Sequence, residues 1–185
     1  MNKFKLLLIV LLSISITACF PSNDSPKKEV LLQGRTMGTT YNVKVVATIE
    51  QVEALQLQQK IDEVLKQVNQ EMSTYIPDSE ISRFNKSQST ESIEISAGFT
   101  RVLQESIRLG ELSGGKLDIT VGPLVNLWGF GPEQRPEKVP SDDLLANARA
   151  RVGLQSLHLA GNQLSKDIPN LYIDLSTTAK GYGVD

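Results

Sequence analysis

Residues 30–48 read VLLQGRTMGTTYNVKVVAT, and the stretch holds two different messages about the fold. Tyr41, Val43, Val45 and Ala47 alternate with polar Asn42, Lys44 and Thr48, a period of two that predicts a half-buried strand. A second strand-like run begins near Val30, and the Gly-containing turn between them makes the pair a hairpin or two neighbouring strands. The period then changes. From Ile49 to Met72 the apolar positions Val52, Leu55, Ile61, Val64, Leu65, Val68 and Met72 recur at helical spacing, which predicts one long amphipathic helix.

Working outward, MSTYIPDSEISRFN (72–85) breaks this helix at Pro77, and Asp78 or Ser79 can cap a short following turn. A strand-like SIEIS leads into a helix from Phe99 to Leu112 that Gly114-Gly115 stops. Ser141-Asp142-Asp143 opens a further helix, closed by Gly153. SLHLAGNQLSK (156–166) reads as a hairpin around Gly161-Asn162, and LYIDL (171–175) as a short buried strand. Strands and helices mix without the regular alternation of a doubly wound sheet. The expected fold class is therefore α+β, a mixed sheet with packed helices.

The 185 residues are 40% hydrophobic and 22% charged, enough for about one domain with a core, here placed at 30–185. Lys3 and Lys5 precede the apolar run Leu6–Ile16, which is too short to span a bilayer and reads as a secretory signal over residues 1–18. Small residues before Cys19 look like a bacterial lipobox, so lipid on Cys19 is expected, with 19–29 as a polar tether. An ordinary secretory signal is the alternative. With the only cysteine lipidated, no thiol is left for a disulfide, a zinc site or a nucleophile. The formal charge of −2 becomes more negative once Lys3 and Lys5 leave, so no nucleic-acid surface is expected. The one histidine, His158, sits in an alternating stretch as a strand residue, which argues against a Ser-His-Asp triad.

Three connectors carry unusual residues. In TMGTTY (36–41), Met37 can lay its thioether on a flat aromatic ligand or plug the core. Tyr75, before the Pro77 turn, can stack on a planar group or staple the helix end. In LDITVGPLVNLWGFG (117–131), glycines permit close backbone approach while Leu124, Leu127, Trp128 and Phe130 offer apolar walls, and Asp118 stands at the entrance. Such a loop packs on the core or on a ligand. Finally, DLSTTAKGYGVD (174–185) combines Ser176, Thr177, Thr178, a helix start and Lys180 in a pattern suited to phosphate, or to a simple capped helix. Asp174 has the wrong sign for phosphate. It suits a ribose hydroxyl, a flavin N–H or a shared Mg²⁺.

Taken together and in this order, TMGTTY, MSTYIPDSEISRFN, LDITVGPLVNLWGFG and DLSTTAKGYGVD resemble the N-terminal half of the ApbE-type FAD:protein FMN transferases. The resemblance implies Mg²⁺-dependent cleavage of the FAD pyrophosphate, transfer of FMN to a Thr or Ser hydroxyl of a target protein, and release of AMP. It implies targets among the subunits of membrane redox complexes, and a lipid-anchored location on the periplasmic side of the cell inner membrane. It also implies that Met37, Tyr75, Lys116, Leu117, Asp118, Asp174 and Lys180 contact FAD and that the Thr177 carbonyl meets the metal. Thr177, Thr178 and the Lys116-Leu117 pair depart from the family's usual residues there. Family members are nearly twice as long, so an incomplete N-terminal portion, inactive alone and prone to aggregate, is the expectation. FAD hydrolysis to FMN and AMP, or flavin binding without catalysis, are the alternatives.

Overall fold

The structure is a computed structural model that describes residues 25–132 and 139–185. The signal, Cys19 and most of the tether lie outside the described residues. The chain divides into two compact units. Of the described residues, one unit comprises 25–32 together with Val43–Gln56, and the other comprises Gln33–Asn42 and the described part of Leu57–Asp185.

β1 (Lys28–Thr36) and β2 (Thr39–Ala47) form a two-stranded sheet through the two-residue turn Met37-Gly38. Both turn residues have positive φ, 50° and 73°, the geometry that lets a two-residue connection follow the strand twist. Within the first unit, α1 (Ile49–Ala54) starts at Thr48 with a reciprocal cap: Thr48 Oγ1 accepts from the Gln51 amide and Gln51 Oε1 accepts from the Thr48 amide. Leu32 and Val52 are its buried apolar side chains.

The helix expected over 49–72 is interrupted. α1 ends at Ala54, α2 runs from Leu57 to Met72, and Gln56 between them has φ 51°. The left-handed backbone at Gln56 cannot continue a right-handed helix. The apolar spacing falters at the same place, between Leu55 and Ile61.

In the second unit, α2, α3 (Glu80–Lys86) and α4 (Ala97–Leu112) pack around a core that includes Ile81, Phe84, Phe99, Val102 and Leu103. Ser79 and Ser96 cap α3 and α4 by accepting from Ser82 and Phe99 amides. The positive-φ pair Gly114-Gly115 ends α4, as the sequence indicated. β3 (Ile93–Glu94), β4 (Leu157–Ala160) and β5 (Gln163–Lys166) make a three-stranded sheet of order β3-β5-β4 with antiparallel pairs, Leu159 and Ile93 both opposite Leu164. α5 (Gly122–Leu127), α6 (Asp142–Arg149), a 3-10 turn at Leu154–Ser156 and α7 (Ala179–Val184) complete the described elements. The α+β character read from the sequence is the character of the fold.

LYIDL is buried as expected but is not a strand of either sheet. Leu171, Ile173 and Leu175 are fully buried while Tyr172 and Asp174 point away from them, so the alternation is that of extended chain. Side chains replace a neighbouring strand. The Asn85 amide accepts from the Ile173 N–H at 2.8 Å and donates to the Ile173 carbonyl at 2.9 Å. Lys166 Nζ donates to the Leu171 carbonyl at 3.2 Å, and the Asp174 N–H donates to the Ile119 carbonyl at 2.8 Å. Every such bond answers the requirement that buried backbone groups be paired.

Candidate functional site

A cleft of ≈ 580 Å³ lies within the second unit. Its floor and one wall come from α2, whose Val68 and Met72 are core residues that also reach the cleft. Asn69, on the same face, donates through Nδ2 to Thr36 Oγ1 at 2.8 Å and thereby ties the β1–β2 turn to the helix. Met37 lines the cleft from that turn.

After α2 the chain turns sharply, and the turn is held by hydroxyls. Ser79 Oγ and Ser82 Oγ both donate to the Ser73 carbonyl, at 2.6 and 3.3 Å. Lys86 Nζ donates to the Pro77 carbonyl at 2.6 Å. This fixes the loop that carries Ser73 and Tyr75 to the rim. Tyr75 is 64% exposed, so it does not staple the helix end.

The opposite apolar wall is Val121, Val125 and Phe130. α5 forms inside what the sequence suggested was a loop, with Pro123 in its first turn, where a missing N–H costs nothing. It ends in a glycine turn: Gly129, at φ 75°, donates to the Asn126 carbonyl, and the Phe130 N–H donates to the Val125 carbonyl. Gly129 is needed there because the left-handed backbone sends Phe130 back toward the cleft. Phe130 remains 70% exposed.

The polar end is built from Asp174, Ser176, Thr177 and Lys180. Asp174 Oδ1 accepts from the Ser176 amide at 2.7 Å, which shapes the turn after LYIDL. Lys180 is exposed and has no ion pair or hydrogen bond among the described residues. Cation and carboxylate thus face one cleft without pairing with each other.

Of the residues singled out from the sequence, Met37, Tyr75, Asp174, Thr177 and Lys180 line this cleft together. Lys116, Leu117 and Asp118 do not. Lys116 is exposed, Leu117 packs against the core, and Asp118 Oδ1 accepts from both the amide and the hydroxyl of Thr120, at 2.8 and 2.6 Å. Thr120 Oγ1 in turn accepts from the Gly153 N–H, so this carboxylate organises a turn. Thr178 also departs from the expected phosphate cluster. Its hydroxyl is 2.8 Å from Ser106 Oγ on α4, and it does not line the cleft. α7 has only six residues and no side-chain cap, so Lys180 rather than a helix dipole supplies the positive charge. Local patterning did not single out Asn69 or Asn85, whose partners are remote in sequence.

The donors at the polar end are the Asp174 carboxylate, two hydroxyls and backbone carbonyls, all hard oxygens. That chemistry fits Mg²⁺, which takes one or two protein carboxylates and completes its shell with water and phosphate oxygens. Among the described residues no group of three His, Cys, Asp or Glu side chains could hold a metal. The remaining ligands would therefore have to come from other oxygens.

The second unit thus carries an apolar-walled cleft with a cation and a carboxylate at one end, and comparison gives the chain a family. A profile of the ApbE family matches residues 37–185, and the chain belongs to that family. It is 53% identical over 162 residues to the FAD:protein FMN transferase of Vibrio cholerae, covering 88% of this chain and 48% of that protein. The FAD:protein FMN transferase of Haemophilus influenzae is 47% identical over 190 residues, covering 97% and 52%. Among solved structures, the flavin transferase ApbE from Vibrio cholerae superposes with a TM-score of 0.83 at 54% identity, covering 86% of this chain and 52% of that one. The Pseudomonas stutzeri flavinyl transferase ApbE gives 0.78 at 34% identity, covering 87% and 51%. The chain spans about half the length of the curated relatives it matches.

Proposed function

We propose that this chain forms part of an enzyme that transfers FMN from FAD to a Thr or Ser hydroxyl of a target protein, with Mg²⁺, releasing AMP. The observation that carries the reading is the meeting of Met37, Tyr75, Phe130, Asp174 and Lys180 around one cleft. A flavin needs an apolar, partly aromatic slot, and its pyrophosphate needs cationic neutralisation; the two ends of the cleft differ in that sense. In this reading Met37, Tyr75 and Phe130 flank the isoalloxazine and keep water from it. Lys180 neutralises a phosphate oxygen, and Asp174 accepts from a ribose hydroxyl or a flavin N–H, or holds the metal. Asp174 and the Thr177 carbonyl would hold Mg²⁺, which when bound supplies Lewis-acid stabilisation of phosphoryl oxygens. Contacts of Lys116, Leu117 and Asp118 with FAD rest on family resemblance alone.

The target is read as a subunit of a membrane redox complex. The chain is placed on the periplasmic side of the inner membrane by lipid on Cys19, and Cys19→Ser is expected to move it from the membrane to the soluble fraction of cells. Among the described residues, no helix is long and apolar enough to cross a membrane.

Two measurements test the reading, the first on the 185-residue chain and the second on the whole enzyme of which it forms part. FAD binding, followed by flavin fluorescence, should weaken about tenfold or more in Lys180→Ala and in Asp174→Asn, as expected for loss of a charge-assisted contact. Analysis of products with a Ser/Thr-containing target protein separates covalent FMN from free FMN plus AMP. Absence of FAD binding, or binding indifferent to both substitutions, would overturn the assignment of the cleft. Free FMN without any covalent product would favour hydrolysis.

A further inference from the structure

Asn85 lies on α3 and does not line the cleft, yet its side chain grips the chain beside the cleft's carboxylate. Among the described lining residues Asp174 is the one acid. The residue before it, Ile173, has both backbone groups bonded to Asn85, 88 positions earlier: the N–H to Oδ1 at 2.8 Å and the carbonyl to Nδ2 at 2.9 Å. A side-chain amide offers a donor and an acceptor side by side in one plane, so Asn85 reproduces the paired bonds of an antiparallel strand neighbour. An aspartate would set an oxygen against the Ile173 carbonyl. On the far side, the Asp174 N–H is held by the Ile119 carbonyl at 2.8 Å, and Oδ1 accepts from the Ser176 amide at 2.7 Å.

The peptide before Asp174 is therefore fixed at both of its ends. Leu171, Ile173 and Leu175 are fully buried, and the Leu171 carbonyl is held separately by Lys166. Burial keeps this segment in place without Asn85. What Asn85 adds, together with the Ile119 carbonyl on the other side, is a hold on the rotation of the peptide plane, and hence on the direction in which the Asp174 carboxylate leaves the backbone.

We propose that Asn85 is a positioning residue that aims Asp174 into the cleft and so sets the affinity of the site for a divalent cation shared with nucleotide phosphates. The proposal rests on the flavin-nucleotide reading of the cleft. Partners that orient a ligating carboxylate commonly change metal affinity by about 10- to 100-fold when removed.

The test follows FAD binding to the 185-residue chain by fluorescence while MgCl₂ is titrated. Asn85→Ala is expected to raise the Mg²⁺ midpoint about tenfold. Asp174→Asn should raise it at least as much, and the double variant no further than Asp174→Asn alone, because both substitutions act through one carboxylate. Leu164→Val, in the buried sheet away from the cleft, is the control: it should lower the melting temperature without moving the midpoint. If Asn85→Ala does not fold, Asn85→Ser, which removes the paired donor and acceptor without setting a charge against the Ile173 carbonyl, takes its place. A midpoint unchanged in the Asn85 variant, or additive effects in the double variant, overturns the positioning role while an Asp174→Asn effect leaves the flavin site standing. Mg²⁺-independent binding, or a silent Asp174→Asn, overturns the positioning role as well, and the flavin reading falls with it only if Lys180→Ala is also silent.

Discussion

Met37 does something its residue type resists. At φ 50° it occupies left-handed backbone, yet it carries a long side chain that packs against the core and lines the cleft. Such a conformation costs a non-glycine residue roughly 1–2 kcal/mol. Asn69 helps hold it by fastening Thr36 to α2. The usual ranking of alanine over glycine should therefore invert here: Met37→Gly should be more stable to urea than Met37→Ala by about 0.5–1 kcal/mol, since both lose the thioether but only glycine loses the strain. Chemical denaturation of the two variants checks it, and alanine coming out more stable would show that the turn relaxes. Met37 was legible from TMGTTY because a turn residue with a large apolar side chain is conspicuous. Tyr75, Asp174, Thr177 and Lys180 were conspicuous for similar local reasons. Asn85 was not, because nothing nearby in sequence says that an amide on a short helix will pair with a backbone 88 residues away.

Elements were legible where a period or a cap was local, and misread where long-range bonding decided. The hairpin at Gly161 was clear, with φ 62° at that glycine. The alternation of LYIDL predicts a strand, but the partners that hold it are Asn85, Lys166 and the Ile119 carbonyl rather than a neighbouring strand. A signal for Lys166 did exist. In β5 it shares parity with fully buried Leu164, and a lysine on the buried side of a strand needs partners. It has them: Nζ donates to the carbonyls of Phe84, Ser87 and Leu171 at 3.1, 2.8 and 3.2 Å, and lies 4.6 Å from the centre of the Phe84 ring. These bonds close the C-terminal end of α3 onto the core. Lys166→Met should cost about 1–3 kcal/mol, since the buried Leu171 carbonyl loses its Lys166 donor and the part-buried Ser87 carbonyl loses one too, while the Phe84 carbonyl keeps the Ser87 N–H at 3.2 Å. Burial also holds the Lys166 ammonium below its ordinary pKa. The unfolded chain therefore binds more protons than the folded one between the depressed value and the ordinary one. Across that window the stability of the wild-type chain should rise with pH relative to Lys166→Met, and below the folded-state value the gap should level off, because folded and unfolded chains then both carry the proton. Urea midpoints over an alkaline pH series measure this, and a pH-independent gap would mean that the ammonium is better hydrated than its burial suggests.

At the scale of the whole molecule, the cleft that unites four sequence motifs also leaves apolar surface open. Tyr75 is 64% exposed, Phe130 70% and Val121 37%, and all three line the same cleft. Val184, on α7, is 87% exposed. Monomeric proteins rarely leave contiguous apolar surface of more than a few hundred Å² uncovered, and when they do it marks a ligand site or an association surface. The two cases make different predictions for the 185-residue chain. If the surface is a ligand site, the unliganded chain should self-associate as its concentration rises, and saturating FAD should shift it toward monomer by covering the wall that Phe130 and Tyr75 provide. Phe130→Ser should reduce self-association without FAD and weaken FAD binding as well, because one surface serves both. Sedimentation velocity across a concentration series, with and without FAD, gives both readings from the same samples. A chain that stays monomeric throughout would show that this surface does not drive association. Association that ignores FAD and Phe130→Ser would place the sticky surface elsewhere, with Val184 on α7 the next position to change.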